Sequence, residues 1–159
     1  GPLVTMEGIV TGVAVAGAGT SVGFAVSPLL ARRVLPELIR TGNYDHPFLG
    51  IQLVNVTPAI AEANELDEAR GVLVVATAAG TPAAGTFRDV TSETEIDGRP
   101  VPVGGDVLVE LAGNAIDSNA DLGTTLALEL SPGDRVPATV IRDGEPRELT
   151  VGIGARPEP

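Results

Sequence analysis

The chain has 159 residues and a formal charge of −11, with no cysteine, no lysine and only 3% aromatic residues. Its length allows one ordinary domain plus an appendage. The acidic surface repels phosphate backbones and argues against a nucleic-acid partner, and the absence of cysteine excludes disulfides and thiolate metal sites. With 43% apolar residues, 20 glycines and 13 prolines, the core must be Val, Leu, Ile and Ala on short strands joined by many turns.

Residues 8–31 carry no charge, a run long enough to span a membrane. Five glycines (Gly8, Gly12, Gly17, Gly19, Gly23) and two short β-branched runs, 9–15 and 21–26, predict two buried strands around a loop at 16–20 instead. Ser27-Pro28 starts a helix, with serine as N-cap and proline in the first turn. Leu30, Val34 and Leu38 form its apolar stripe, Pro36 is expected to kink it, and Gly42 stops it.

A second domain opens at Asp45-His46-Pro47, because a residue before proline is pushed out of the helical region. Its predicted elements are a strand at 51–56, a short helix at 58–66, a buried central strand at 71–76 and a turn of helix at 81–84. A surface hairpin turns at Asp97-Gly98, confined to an edge by Pro100 and Pro102. Its Glu93, Glu95 and Asp97 read as a solvated face, not a metal site. A strand at 107–111 turns at Gly113-Asn114. Ser118 and Asp121 form a capping box for a helix whose Leu122, Leu126 and Leu130 share one face. A hairpin of 136–142 and 148–153 turns at Asp143-Gly144, and the chain frays from Ala155.

Nucleophilic catalysis needs an activated hydroxyl or thiol beside a base. One histidine, His46, stands at the domain junction as a linker residue, and no zinc ligand set or phosphate loop is present, so no catalytic residue, metal or cofactor is predicted. The remaining candidate is a groove. Its head is Phe48-Leu49-Gly50, where glycine can take φ > 0 and let several amides converge on a carboxylate. Its floor is the strand Ile51, Gln52, Leu53 with a free edge, and its wall is the helix carrying Leu122 and Leu126. An ordinary turn into a core strand fits the same spacing.

Phe48-Leu49-Gly50-Ile51 is similar to the carboxylate-binding loop of PDZ domains in HtrA/Deg-type serine proteases. The resemblance continues through Arg70-Gly71-Val72, Gly80-Thr81-Pro82, Gly105-Asp106-Val107, Ala112-Gly113-Asn114, Ser131-Pro132-Gly133-Asp134 and Asp143-Gly144. Upstream, Gly1-Pro2-Leu3 resembles the residues after the nucleophile of a trypsin-like motif, Val22-Gly23-Phe24-Ala25-Val26 a late barrel strand, and residues 34–39 a linker helix.

The resemblance implies an α+β, mainly β chain. Residues 1–26 would be a remnant of a trypsin-like barrel, 27–44 a linker helix, 45–155 a PDZ domain in the form of a partly open barrel, and 156–159 a tail. It implies partners that are C-terminal tails or unfolded protein segments, held by Phe48, Leu49, Gly50, Ile51, Gln52, Leu53, Leu122 and Leu126, and a place outside the cytoplasm. The alternative is a structural or assembly module whose groove is closed by residues 86–104 or 1–26. Residues 1–26 alone lack the strands of a barrel, so disorder, or capture by a strand edge or a second copy, is expected. The family's catalytic Ser, His and Asp have no counterparts here, the serine falling two positions before Gly1. The chain is therefore expected to be inert as a protease: a serine-directed covalent inhibitor should leave its intact mass unchanged, and stoichiometric labelling would contradict this.

Overall fold

The computed structural model describes residues 1–18 and 22–157, and the chain divides into two units, Gly1–Tyr44 and Asp45–Pro159. In the first unit β1 (Pro2–Val4), β2 (Val10–Ala18) and β3 (Val22–Val26) form an antiparallel meander in that order. The predicted loop at 16–20 starts later than expected, since β2 continues through Ala18; residues 19–21 lie outside the described ones.

β1 was not foreseen. It forms because Gly8 takes φ +81°, which closes a turn in which its N–H donates to the Thr5 carbonyl at 3.0 Å and the Thr5 N–H to the Ile9 carbonyl at 2.9 Å. Backbone pairing thus joins three strands in a segment for which missing barrel strands left disorder or capture as the expectation, while Leu3, Val4, Ile9, Val15 and Phe24 stay exposed. α1 (Pro28–Thr41) follows, capped by the Ser27 hydroxyl on the Leu29 N–H (3.2 Å) and by Gly42, whose N–H reaches the Leu38 carbonyl (2.9 Å). The helix continues through Pro36. Among the described residues no helix is long and apolar enough to cross a membrane.

The second unit runs β4 (Pro47–Phe48), β5 (Ile51–Asn55), α2 (Pro58–Ala63), β6 (Val72–Thr77), β7 (Ser92–Ile96), β8 (Arg99–Val103), β9 (Val107–Leu111), β10 (Asn114–Ala115), α3 (Asn119–Glu129), β11 (Arg135–Arg142), β12 (Glu145–Gly152) and β13 (Gly154–Ala155). The main sheet has the order β12-β11-β9-β6-β5, with β10 hydrogen-bonded to β9, and every pairing is antiparallel. β13 pairs with β4 and β7 with β8 in two-stranded ribbons. The described sheets are open, mainly β with helices against them.

Alternation along the strands gives the sheet two apolar faces. Val72, Val74, Leu108, Leu111 and Val140 lie under α3, with Leu122 and Leu130. Leu73 and Val107 face the other way, under Ile60 and Ala61 of α2 and Val101 of β8. The hairpin predicted at Asp97-Gly98 therefore covers the face opposite α3. The Asp143-Gly144 hairpin also forms as expected, with positive φ at both turn residues.

Three local expectations give way. α2 stops at Ala63, because Glu65 turns left-handed (φ +52°) and the Asn64 side chain bonds the Pro102 carbonyl and Gly104 N–H, both at 3.0 Å. Residues 81–84 make successive turns, not a helix, and β9 turns at Ala112-Gly113, one residue early.

Asp106 joins these parts. Its carboxylate is fully buried and accepts two hydrogen bonds from the Arg142 guanidinium, each 2.7 Å, and one from the Arg88 N–H at 3.0 Å. The carboxylate in turn keeps Arg142 protonated to higher pH than an ordinary arginine. Removing one partner of a buried pair strands the other charge, so Asp106→Ala should lower stability by about 3–5 kcal/mol, measured by urea unfolding.

Candidate functional site

β5 ends the main sheet, so among the described residues one of its edges has no neighbouring strand. Along it Ile51 and Leu53 are half-buried against the core, while Gln52, Val54 and Asn55 are exposed. α3 packs against β4 and β5 and forms the opposite wall. At the far end the Asn55 side-chain oxygen accepts the Asn119 N–H at 2.7 Å, tying the strand to the first residue of the helix.

The head of the groove is built by turning carbonyls inward. The Leu49 carbonyl accepts the Ala83 N–H at 3.2 Å and the Gly50 carbonyl accepts the Ala78 N–H at 2.8 Å, while the Thr81 hydroxyl donates to the Ala78 carbonyl at 2.7 Å and lies 3.4 Å from the Gly50 carbonyl. Gly50 takes φ +82°, and among the described residues the Leu49 and Gly50 N–H groups have no hydrogen-bond partner. Two adjacent free amides at a left-handed glycine make a small concavity suited to an anion. Phe48, by contrast, lies in β4 opposite Gly154.

The eight residues singled out from the sequence come together around this groove, but their side chains divide. Leu49 and Leu122 are each only 2% exposed and belong to the core, so they contribute backbone and support rather than open surface. Leu126 is half-buried and packs with Ile51 and Leu53 against the same core. One turn before it, Gly123 is exposed, and a Cβ there would meet nothing within 4 Å.

Three contributors had no local signal. The Thr81 side chain occupies the space a Gly50 Cβ would take, Asn119 meets Asn55 from 64 residues away, and Arg156 places its guanidinium carbon 5.9 Å from the Phe48 ring centroid. Arg156 is held there because its N–H donates to the His46 carbonyl at 2.8 Å, continuing the β13–β4 pairing. Of the frayed end predicted from Ala155, Ala155 itself lies in β13 and pairs with the start of the domain, and residues 158–159 lie outside the described ones. Glu93 and Glu95 are exposed on β7, and among the described residues no acidic or histidine cluster is placed to hold a metal ion.

The PDZ domain family profile matches residues 47–153. Proteins described as probable periplasmic serine endoproteases of the DegP-like kind are 31% identical in Chlamydia trachomatis over 96% of this chain and in Rhizobium meliloti over 99%, in both cases 29% of the relative's length. The chain is similar to a solved HtrA-type protease, AlgW, with a tripeptide, at TM-score 0.72 and 26% identity over 99% of this chain and 49% of that one. A solved HtrA-type protease with a decapeptide gives the same TM-score, 0.72, and identity, 26%, over 45% of its length. The chain spans about 30% of the curated relatives it matches.

The loop geometry makes a sharp distinction between two glycines. A Cβ at Gly50 would sit 2.3 Å from the Thr81 Cβ, whereas one at Gly80, also left-handed at φ +78°, would meet nothing within 4 Å. Gly80→Ala therefore carries the backbone cost alone, about 1–3 kcal/mol. Gly50→Ala adds an overpacking cost and should be less stable than Gly80→Ala by at least about 1 kcal/mol in thermal unfolding.

Proposed function

The chain belongs to the PDZ domain family and is homologous along its length to HtrA/DegP-type serine proteases, and from that premise we propose that it recognises free C-termini of polypeptides in the groove between β5 and α3. The observation that carries this reading is the pair of unpartnered amides at Leu49 and Gly50, set at the end of a free strand edge. An incoming chain would add antiparallel to β5 through main-chain hydrogen bonds, ending at the Leu49-Gly50 loop. Its terminal carboxylate would take charge-assisted bonds from the two amides, with Arg156 supplying positive charge at the same end. Its last side chain would rest on Ile51 and Leu126.

Unfolded protein segments with exposed ends are the natural ligands on this reading, with residues 1–26 as the barrel remnant, 27–44 the linker helix and 45–155 the binding domain. On this reading the chain's part is binding. The relatives described as periplasmic support a place outside the cytoplasm. The charge of −11 disfavours acidic tails at long range, so apolar or basic tails bind better. The alternative of an assembly module needs a groove covered by residues 86–104 or 1–26; the packing of the β7–β8 hairpin with α2 on the other face of the sheet supports the peptide-binding reading over the first of these.

Titration with matched peptides bearing a free carboxylate or a terminal amide tests the reading. The acid form is expected near micromolar, about −8 kcal/mol, with the amide weaker by about 1.5–3 kcal/mol, the range for a hydrogen bond to a charged group. Leu126→Glu should abolish binding of both. Equal binding of acid and amide, with NMR shifts outside residues 48–54 and 118–130, would favour the assembly module.

A further inference from the structure

The face of the main sheet opposite α3 holds a second concavity. α2 and the β7–β8 hairpin bury Leu73 and Val107 but stop short of Val109 and Ile141, which remain half-buried. Together with Leu66 and Pro146 these form the floor of a cleft of about 370 Å³. It shares Leu66, Val107 and Ile141 with an adjoining hollow of about 330 Å³, so the two are one depression. The size lies within the range of ligand clefts, about 300–1,000 Å³.

The floor is shaped by a β-bulge. β9 pairs Glu110 with Thr139 and Leu108 with Val140, leaving Val109 as the extra residue. Without it, Leu108 and Leu111 would point to opposite faces. With it both lie under α3 while Val109 turns to the cleft. Bulges of this kind re-aim side chains beside functional sites.

The rim is acidic and held in place. Glu65 takes φ +52° and its N–H donates to the Glu62 carbonyl at 3.3 Å, while the next N–H, of Leu66, donates to the Ala61 carbonyl at 2.9 Å. Glu68 is neutralised by Arg70 at 2.7 Å, but among the described residues neither Glu65 nor Asp67 has an ion-pair partner. Residues 45–159 contain nineteen acidic residues and seven arginines, so a second copy of this unit would be repelled and a cation drawn in.

We propose that this cleft is a second polypeptide-binding site, which takes internal segments in which arginine or lysine is flanked by apolar side chains. The apolar groups cover Val109 and Ile141, and the cations meet Glu65 and Asp67. A free carboxylate is not required, so the site differs in ligand from the groove at β5 and does not rest on that reading.

The probe is a five-residue peptide, leucine-arginine-valine-arginine-leucine, acetylated and amidated so that it has no terminal charge, with a glutamate-for-arginine control. Added to the isotope-labelled full chain, the arginine peptide should shift the NMR signals of Leu66, Val109 and Ile141, and the glutamate peptide should not. Reversing the exposed rim with Glu65→Lys plus Asp67→Lys should weaken the arginine peptide about three- to tenfold, as expected for two solvent-exposed ion pairs. The same variant should bind an arginine-free peptide with a free carboxylate as the unaltered chain does. The inference is overturned if shifts fall at Ile51, Leu53 and Leu126 instead, if none occur, or if the rim reversal changes nothing. Concentration-dependent shifts at the cleft without peptide, with a dimer in sedimentation equilibrium, would assign it to a second copy and overturn it too.

Discussion

A carboxylate with no access to water sets the frame of the second unit. Asp106 sits where the segment after Phe87 meets the main sheet. Its backbone bonds the Val74 N–H on one side (2.8 Å) and the Arg88 carbonyl on the other (3.0 Å). Gly105 precedes it because the chain crosses β6 so closely that a Cβ would lie 2.5 Å from the Val74 carbonyl. A buried ion pair is weak evidence for net stability, since desolvation offsets most of the attraction. What this one fixes is position: Arg142 can reach it only with β11 in its observed register against β9, and the Arg88 N–H only with the segment at 83–88 folded down. That segment supplies Ala83, buried, whose N–H holds the Leu49 carbonyl. A chain of contacts thus runs from Asp106 to the head of the groove.

The sheet solves two packing problems with one set of strands. Its α3 face is a closed core, with aliphatic side chains filling the space that few aromatics could. Its second face is only half roofed, because α2 is six residues long and ends where Asn64 turns to bond the hairpin segment at Pro102 and Gly104. The same two bonds that anchor the hairpin over Leu73 and Val107 therefore end the cover early. Charge is unevenly shared as well: residues 1–44 carry three arginines and two acidic residues, leaving nearly all the negative charge on residues 45–159.

Local chemistry was legible in the sequence and distant chemistry was not. Ser27-Pro28 and Gly42 bound α1 as their capping roles dictate, and Asp97-Gly98 and Asp143-Gly144 make the hairpins their positive φ values permit. Phe48-Leu49-Gly50 was visible as a glycine loop before a strand, and its family pattern gave it meaning. The packing behind that loop was hidden, because Thr81 is 31 residues away and only the fold brings its side chain against Gly50. The same holds for Asn55 with Asn119, for Arg156 with Phe48, and for the turn of Glu65 that shortens α2. Periodicity placed Leu122 on the correct helical face but not at the correct depth: i, i+4 spacing defines a stripe, and which member of it meets the groove depends on the tilt of the helix over β5.

An open strand edge is a hazard, because any extended chain can pair with it. β5 limits that hazard by its surroundings. It is five residues long, α3 stands over it, and Asn55 ties its far end to Asn119. At its near end the backbone turns away at Gly50, with both loop carbonyls already bonded inward to Ala83 and Ala78. A continuous chain laid along β5 would have to run past that turn, where it meets two N–H donors and no acceptor. A peptide bond offers those donors one oxygen and presses its own N–H and the next residue against the loop. A terminal carboxylate offers two oxygens and stops. On the proposed reading, preference for chain ends then follows from the same inward bonds that give the loop its shape, and Thr81, by holding Gly50 in place, acts on that preference without touching the ligand.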